Sequence, residues 1–456
     1  MTQLSRRSFL QTTGSALFAG SLAATQLPRP TPAQIAWQDY EVGMLFSLDL
    51  PVFASGGWKE TRETYDPNLF NPAQLDTDQW LEAAREAGCG YAVFTATHFN
   101  GFLQWQSDLY PYGLKQTSWR DGKGDVMQDF VASCHKYGIA PGVFLSCHRN
   151  AYQKVWKYRV NWGEGGPEQA QFARIGEKMT EELCSRYGPL CEIWYDAGLI
   201  DPNDGGPDVV PIVNRFQKST VFYSSPRRRD HRWIGNESGY AGDPCWATMP
   251  DLATSYRAHN SSAIPALNKL NAHGDPEGNF WAPAMVDVPI RNHEWFWRPD
   301  DEHKLDSVDT LVKMYYTSVG LNCTFIIGAV PDQRGLVPEA DRKVGAAFGQ
   351  EIQRRFGKPV AETTGHGNRV VLRLPQPSRI DHVVIMEDIA QGERVRQFVV
   401  EAQVPGPQWQ KLFAGESIGH KRIIQFPPLE AAQVRVQVLK STAPARFRRV
   451  AAYATT

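Results

Sequence analysis

From residue 40 to about 330 the chain repeats one unit, a short apolar run followed by an amphipathic stretch. Gly43-Met44-Leu45-Phe46-Ser47-Leu48 reads as a first strand. Asp76 to Gly88 then has helical spacing, with Asp76 in the N-cap position and Gly88 as the stop. Tyr91–Ala96 reads as strand, Asp125–Gly138 as a second glycine-stopped helix, Gly142–Ser146 as strand, Glu168–Tyr187 as a long helix and Cys191–Asp196 as a fourth strand. Buried strands alternating with helices demand a parallel sheet covered on its faces, and at this length a (β/α)8-like TIM barrel. The second half is less regular. Strands are expected at Val221–Tyr223, around Ala284–Val286 and at Thr324–Ile327, without eight clean units.

Past Phe356 the texture changes. Val370–Leu374, His382–Ile385, Phe398–Ala402, Arg422–Phe426 and Val434–Val438 read as short strands separated by Pro and Gly turns, the pattern of an all-β sandwich. The expected division is a barrel over 35–356 and a C-terminal sandwich over 357–456. Ahead of both, Ser5-Arg6-Arg7-Ser8-Phe9-Leu10 is a twin-arginine pattern followed by an apolar run to Ala24, read as a signal peptide over 1–28. That run is too short to span a bilayer, so an exported periplasmic or secreted protein with no membrane span in the mature chain is expected.

Forty-eight basic residues against 49 acidic ones leave a net charge of −1, so nothing in the charge balance invokes nucleic acid or an anionic membrane. Seven cysteines without C-x-x-C spacing read mostly as core residues. Fourteen Trp, 16 Tyr and 22 Phe supply flat surfaces of the kind that stack on sugar rings.

Two carboxylates stand out. Asp196 ends an apolar strand, where barrel enzymes place reactive groups, and is followed by the small pair Ala197-Gly198. Glu237 sits in a polar, aromatic loop from Arg232 to Tyr240. A retaining glycosidase needs two carboxyl groups about 5–5.5 Å apart, an inverting one a gap of about 6.5–9.5 Å. Spacing along the chain decides neither, and an Asp at a strand end more commonly caps a turn. His98 after the second strand and Trp58 after the first are pocket candidates; their bland alternatives are a satisfied structural His and a loop-packing aromatic. Asp300-Asp301-Glu302-His303 reads as an exposed acidic loop rather than a cation site. There is no G-x-S-x-G elbow, no G-x-G-x-x-G after a strand and no H-E-x-x-H.

Taken together, several segments resemble the α-L-fucosidases of glycoside hydrolase family 29. Gly43–Phe46, Tyr65–Pro72, Thr95–Phe102 and Gly122–Val126 look like that family's early motifs. Glu192–Ala197 resembles the segment whose Asp is the family nucleophile, and Arg232–Gly242 resembles the "RWVGNE-x-GYAG" of the α-1,3/1,4 subgroup, whose Glu is the acid/base. Glu387–Val395 and Ile418–Ile423 are similar to that subgroup's C-terminal domain. The resemblance runs from about 40 to 456. It implies double displacement, with Asp196 ionised as nucleophile and Glu237 protonated as acid. It further implies an oligosaccharide or glycoconjugate substrate, His98 on ring hydroxyls, and Trp58, Trp194 and Arg232 around the sugar, with no metal or organic cofactor.

The departures fall in the implied sugar pocket. Ser47 stands where the family has a His, Phe99 replaces the second of two adjacent imidazoles, and Met285 replaces a Glu. A pocket built on hydrogen bonds discriminates strongly by such groups. The implied outcomes are fucose held with fewer contacts, a different L-sugar or modified fucoside, or a non-catalytic carbohydrate-binding protein.

Overall fold

A computed structural model describes residues 27–54, 62–258 and 264–455. The twin-arginine segment and Trp58 lie outside the described residues. Eight parallel strands form the first sheet: β1 Val42–Phe46, β2 Tyr91–Thr95, β3 Ala140–Ser146, β4 Glu192–Asp196, β5 Val221–Tyr223, β6 Arg232–Trp233, β7 Ala284–Pro289 and β8 Cys323–Ala329. They lie in the order β5-β4-β3-β2-β1-β8-β7-β6. This is the expected barrel, nearly closed; among the described residues no ladder joins β5 to β6.

In chain order the helices are α1 Pro32–Tyr40, α2 Thr77–Glu86, α3 Val126–Tyr137, α4 Gln169–Arg186, α5 Val210–Phe216, α6 Leu252–Ala258, α7 Pro265–His273, α8 Val308–Thr317 and α9 Glu339–Phe356. The expected caps are present. The Asp76 carboxylate accepts from the Asp78 and Gln79 amides, Asp125 accepts from Gln128, and Gly138 ends α3 at φ +68°. The irregular second half has a concrete cause. Between β6 and β7 the chain inserts α6, α7 and a small ribbon pairing Thr248–Met249 with Phe280–Trp281.

Period-two alternation sorts the strand residues into two cores. Met44, Phe46, Ala92, Phe94, Val143, Leu145, Ile193 and Tyr195 belong to the larger cluster with the helices. Leu45, Val93, Phe144, Trp194, Tyr223, Met285 and Ile326 fill the barrel interior. Two residues further along the same strands, Ser47, Thr95, Asp196 and Asp287 continue the inward row at the C-terminal mouth. The opposite end is closed by α1, whose Trp37 is buried and donates its Nε1–H to Glu192 at 3.1 Å.

After α9 the chain forms one six-stranded antiparallel sheet: β9 Ala361–His366, β10 Arg369–Glu387, β11 Val395–Gln403, β12 Trp409–Gly415, β13 Arg422–Ser441 and β14 Arg446–Tyr453. Its order is β9-β14-β10-β13-β11-β12, around its own apolar core. Two pairs of expected short strands are continuous here. Val370–Leu374 and His382–Ile385 are both in β10, and Arg422–Phe426 and Val434–Val438 are both in β13. The Pro-containing stretches between them are absorbed as register shifts, from Arg373 to Ser378 and from Ile380 to His382, instead of ending the strands. All seven cysteines are unpaired thiols, six of them buried.

Candidate active site

Asp196, Glu237, Asp287, His98, Phe99, Ser47 and Trp194 line one cavity of about 330 Å³ at the barrel's C-terminal mouth. That is near the small end of ligand pockets, roughly 300–1,000 Å³, and is a fitting size for a single sugar ring. Asp196 is presented by a tight turn: Ala197 and Gly198 follow it at φ +54° and +70°. The Tyr158 hydroxyl donates to the Ala197 carbonyl at 2.5 Å and fixes that turn. Oδ2 of Asp196 is buried and has no hydrogen-bond partner among the described residues, so one carboxylate oxygen is left for whatever enters.

Burial pushes the Asp196 carboxyl up to about 7; Arg149 opposes the rise and the Glu237 carboxylate adds to it. Burial therefore works against the ionised Asp196 that the sequence resemblance implies. Asp287 is only 5% exposed and is driven further, to about 8, by burial and by Glu237. The indole N–H of Trp233 donates to its Oδ1 at 2.6 Å and partly offsets that rise.

Glu237 projects from the loop after β6, and its Oε2 accepts the indole N–H of Trp295 at 3.0 Å. The loop is pinned at several points. Thr317 on α8 donates its hydroxyl to Gly239 and accepts the Ala241 amide on its carbonyl. Gly239, at φ +83°, packs so close to Met314 that a Cβ would collide with it. Beyond it the C-terminal sheet takes hold. The Arg422 guanidinium grips both Asp243 oxygens at 2.7 Å, Ser417 donates to the Cys245 carbonyl at 2.6 Å, and Glu393 accepts the Ala247 amide at 2.9 Å.

His98 stacks on Phe99 at 4.0 Å and meets Phe296 edge-on at 5.1 Å. Burial, helped by Arg149, lowers its pKa to about 3, so it is a neutral imidazole that can both donate and accept. Trp194 is buried and packs edge-on against Phe144 at 5.1 Å, forming the pocket floor.

The alpha-L-fucosidase family profile matches residues 54–354. The chain belongs to the alpha-L-fucosidase family. The solved structure of a Bacteroides thetaiotaomicron VPI-5482 protein assigned as an alpha-L-fucosidase is similar at TM-score 0.90 and 43% identity, covering 94% of this chain and 100% of that one. A glycoside hydrolase 29 family member from an unknown rumen bacterium superimposes at TM-score 0.78 and 26% identity, covering 94% of this chain and 78% of its own. Alpha-L-fucosidase 1 of Arabidopsis thaliana is 28% identical over 445 residues, 88% of this chain and 82% of its own. As a member of the alpha-L-fucosidase family the chain is a glycoside hydrolase, and no described helix is long and apolar enough to cross a membrane.

Of the residues expected around the fucosidase pocket, Arg232 lies elsewhere. Its fully buried guanidinium is used by the Asn271 and Ala282 carbonyls, at 2.9 and 2.5 Å, and by Cys245 Sγ at 3.3 Å, so it braces the root of the Glu237 loop. Met285 is fully buried in the barrel interior, one inward position below Asp287. The acidic segment at 300–303 is not simply exposed, because Asp301 is buried against Arg291. Asp287, Trp295 and Arg149 were not singled out by the sequence. An acid inside the apolar run Ala284–Pro289 was the available signal for Asp287; Trp295 sits in the aromatic group Trp295-Phe296-Trp297, and Arg149 had no local signal.

Proposed function

We propose that this member of the alpha-L-fucosidase family is a retaining exo-glycosidase that removes a terminal α-linked L-fucose by double displacement. Asp196 Oδ2 attacks the anomeric carbon while Glu237 protonates the departing glycosidic oxygen; the glycosidic C–O bond breaks and a glycosyl-enzyme forms. Glu237 then takes a proton from water, which attacks the same carbon and releases Asp196. The observation that carries this reading is the meeting of Asp196, with one unpartnered oxygen, and Glu237 in a cavity of one-sugar size. Neutral His98 and Ser47 serve the ring hydroxyls, and Trp194 offers an apolar surface to the ring.

Similarity of Arg232–Gly242 to the branched-linkage motif supports α-1,3/1,4-linked fucose in oligosaccharides or glycoconjugates as substrate. The twin-arginine pattern supports export in folded form to the periplasm or beyond, with the barrel over 35–356 as the catalytic unit and 357–456 as its companion. Ser47 and Phe99 in place of two imidazoles favour a second reading, a related L-sugar as glycone.

Proton NMR of the first product formed from an aryl α-L-fucoside tests the mechanism: the α-anomer is expected, and initial release of the β-anomer would overturn double displacement. Parallel assay of aryl glycosides of related L-sugars tests the glycone. Asp196→Gly is expected to reduce turnover by about a thousandfold or more.

A further inference from the structure

Phe99 finds a use away from the sugar. Ser146 is registered directly with Asp196 across the β3–β4 ladder, and Arg149 follows three residues later at the same end of the barrel. A short hairpin pairs Arg149 with Trp156. Its guanidinium lies between two aromatic rings, 4.7 Å from the centroid of Phe99 and 4.1 Å from that of Trp156. A planar, weakly hydrated guanidinium stacks on such faces and retains its charge, which an ammonium or an imidazole does less well.

Charged and titratable groups reach Asp196 from every neighbouring element. Glu237 comes from the loop after β6 and Asp287 from β7, and both carboxyls disfavour a charge on Asp196 or compete with it. His98, after β2, is neutral, and Tyr223 on β5 is held protonated by burial. His293, Glu294 and Arg298 line the cavity from the loop after β7, with Arg298 paired to Glu294 at 3.3 Å. Among the described residues, Arg149 is the strongest influence favouring the anion against burial.

We propose that Arg149, clamped between Phe99 and Trp156, is a positioning residue that keeps Asp196 anionic and so ready to attack. This rests on the reading of Asp196 as nucleophile. It also gives Phe99 a purpose that the family's imidazole would not serve, since an apolar ring there holds a cation beside the pocket.

The test is the pH profile of kcat/KM on an aryl α-L-fucoside, with the thermal midpoint of each variant measured alongside. Arg149→Met is expected to move the acidic limb upward by about one pH unit or more, with activity recovering toward alkaline pH. Arg149→Lys restores most of the limb, and Phe99→Leu, which removes one ring of the clamp, moves it the same way by less. A loss in Arg149→Met that is equal at every pH would overturn the proposal. If that variant does not fold, an unmoved limb in both Arg149→Lys and Phe99→Leu overturns it instead. Turnover surviving in Asp196→Gly would sink the nucleophile reading itself, whereas an inert Asp196→Gly with stationary limbs would sink only the role of Arg149.

Discussion

Trp295 donates its indole N–H to Oε2 of Glu237 at 3.0 Å, from a loop that leaves β7 rather than from the loop that carries the glutamate. A hydrogen bond to a charged group contributes about 1.5–3 kcal/mol when its partner is removed. Trp295→Phe keeps most of the ring and deletes the donor. Steady-state kinetics should show kcat falling by about tenfold or more, with KM changing less; an unchanged kcat would mean that this bond does not hold Glu237, the proposed acid/base, in place.

The acidic limb of the wild-type profile should lie near neutrality. As the proposed nucleophile Asp196 would attack only as a carboxylate, and its folded-state pKa is pushed up to about 7. Below that value kcat/KM on an aryl α-L-fucoside should fall by about tenfold per pH unit. A flat profile down to pH 5 would show that the nucleophile ionises more easily than its burial implies.

Asp287 leads to a prediction about stability. Its folded-state pKa, about 8, lies above the unfolded value of about 3.9, so the native protein binds the extra proton. Stability from this group is therefore complete below about pH 4 and is lost as pH rises through about 8. Asp287→Asn keeps an acceptor for Trp233 and removes the titration. Measured by thermal unfolding, its midpoint relative to wild type should rise steadily between pH 5 and pH 8. A constant difference across that range would refute the linkage.

Arg291 is buried and forks onto the carboxylate of Asp341 in α9, with bonds of 2.9–3.2 Å, while also holding Asp301. Arg291→Met leaves two buried carboxyl groups without their cation. The expected cost is about 3–5 kcal/mol, read as a large drop in the denaturant midpoint. Replacing all three groups with apolar residues should recover much of it; recovery no better than the single variant would point to a role beyond charge pairing.

The strands and helices of the barrel's first half were legible because each spans enough residues for its period to show, and because Asp76, Asp125 and Gly138 mark their ends. β6 was not, since two residues carry no period. In the C-terminal sheet, four of the expected short strands proved to be halves of two long ones, because proline ordinarily ends a strand and here falls within register shifts. In the pocket, Asp196 was visible as a strand-end acid, and Glu237 only through its surrounding motif. Arg149 and Trp295 could not be found this way: their partners lie 7 and 50 or more residues away, and cation–aromatic stacking leaves no local pattern. Arg232 was misplaced because a motif shows which residues keep company along the chain, not which of them turn toward the cavity.

The hold of Arg422, Ser417 and Glu393 on residues 243–247 bears on how enzymes of this kind can be recombined. The far end of the Glu237 loop is anchored in the C-terminal sheet, so the two parts share one tuned joint. A chimera that takes its barrel from one parent and its sheet from another should fold yet misplace Glu237, unless both sides of that joint come from the same ancestor.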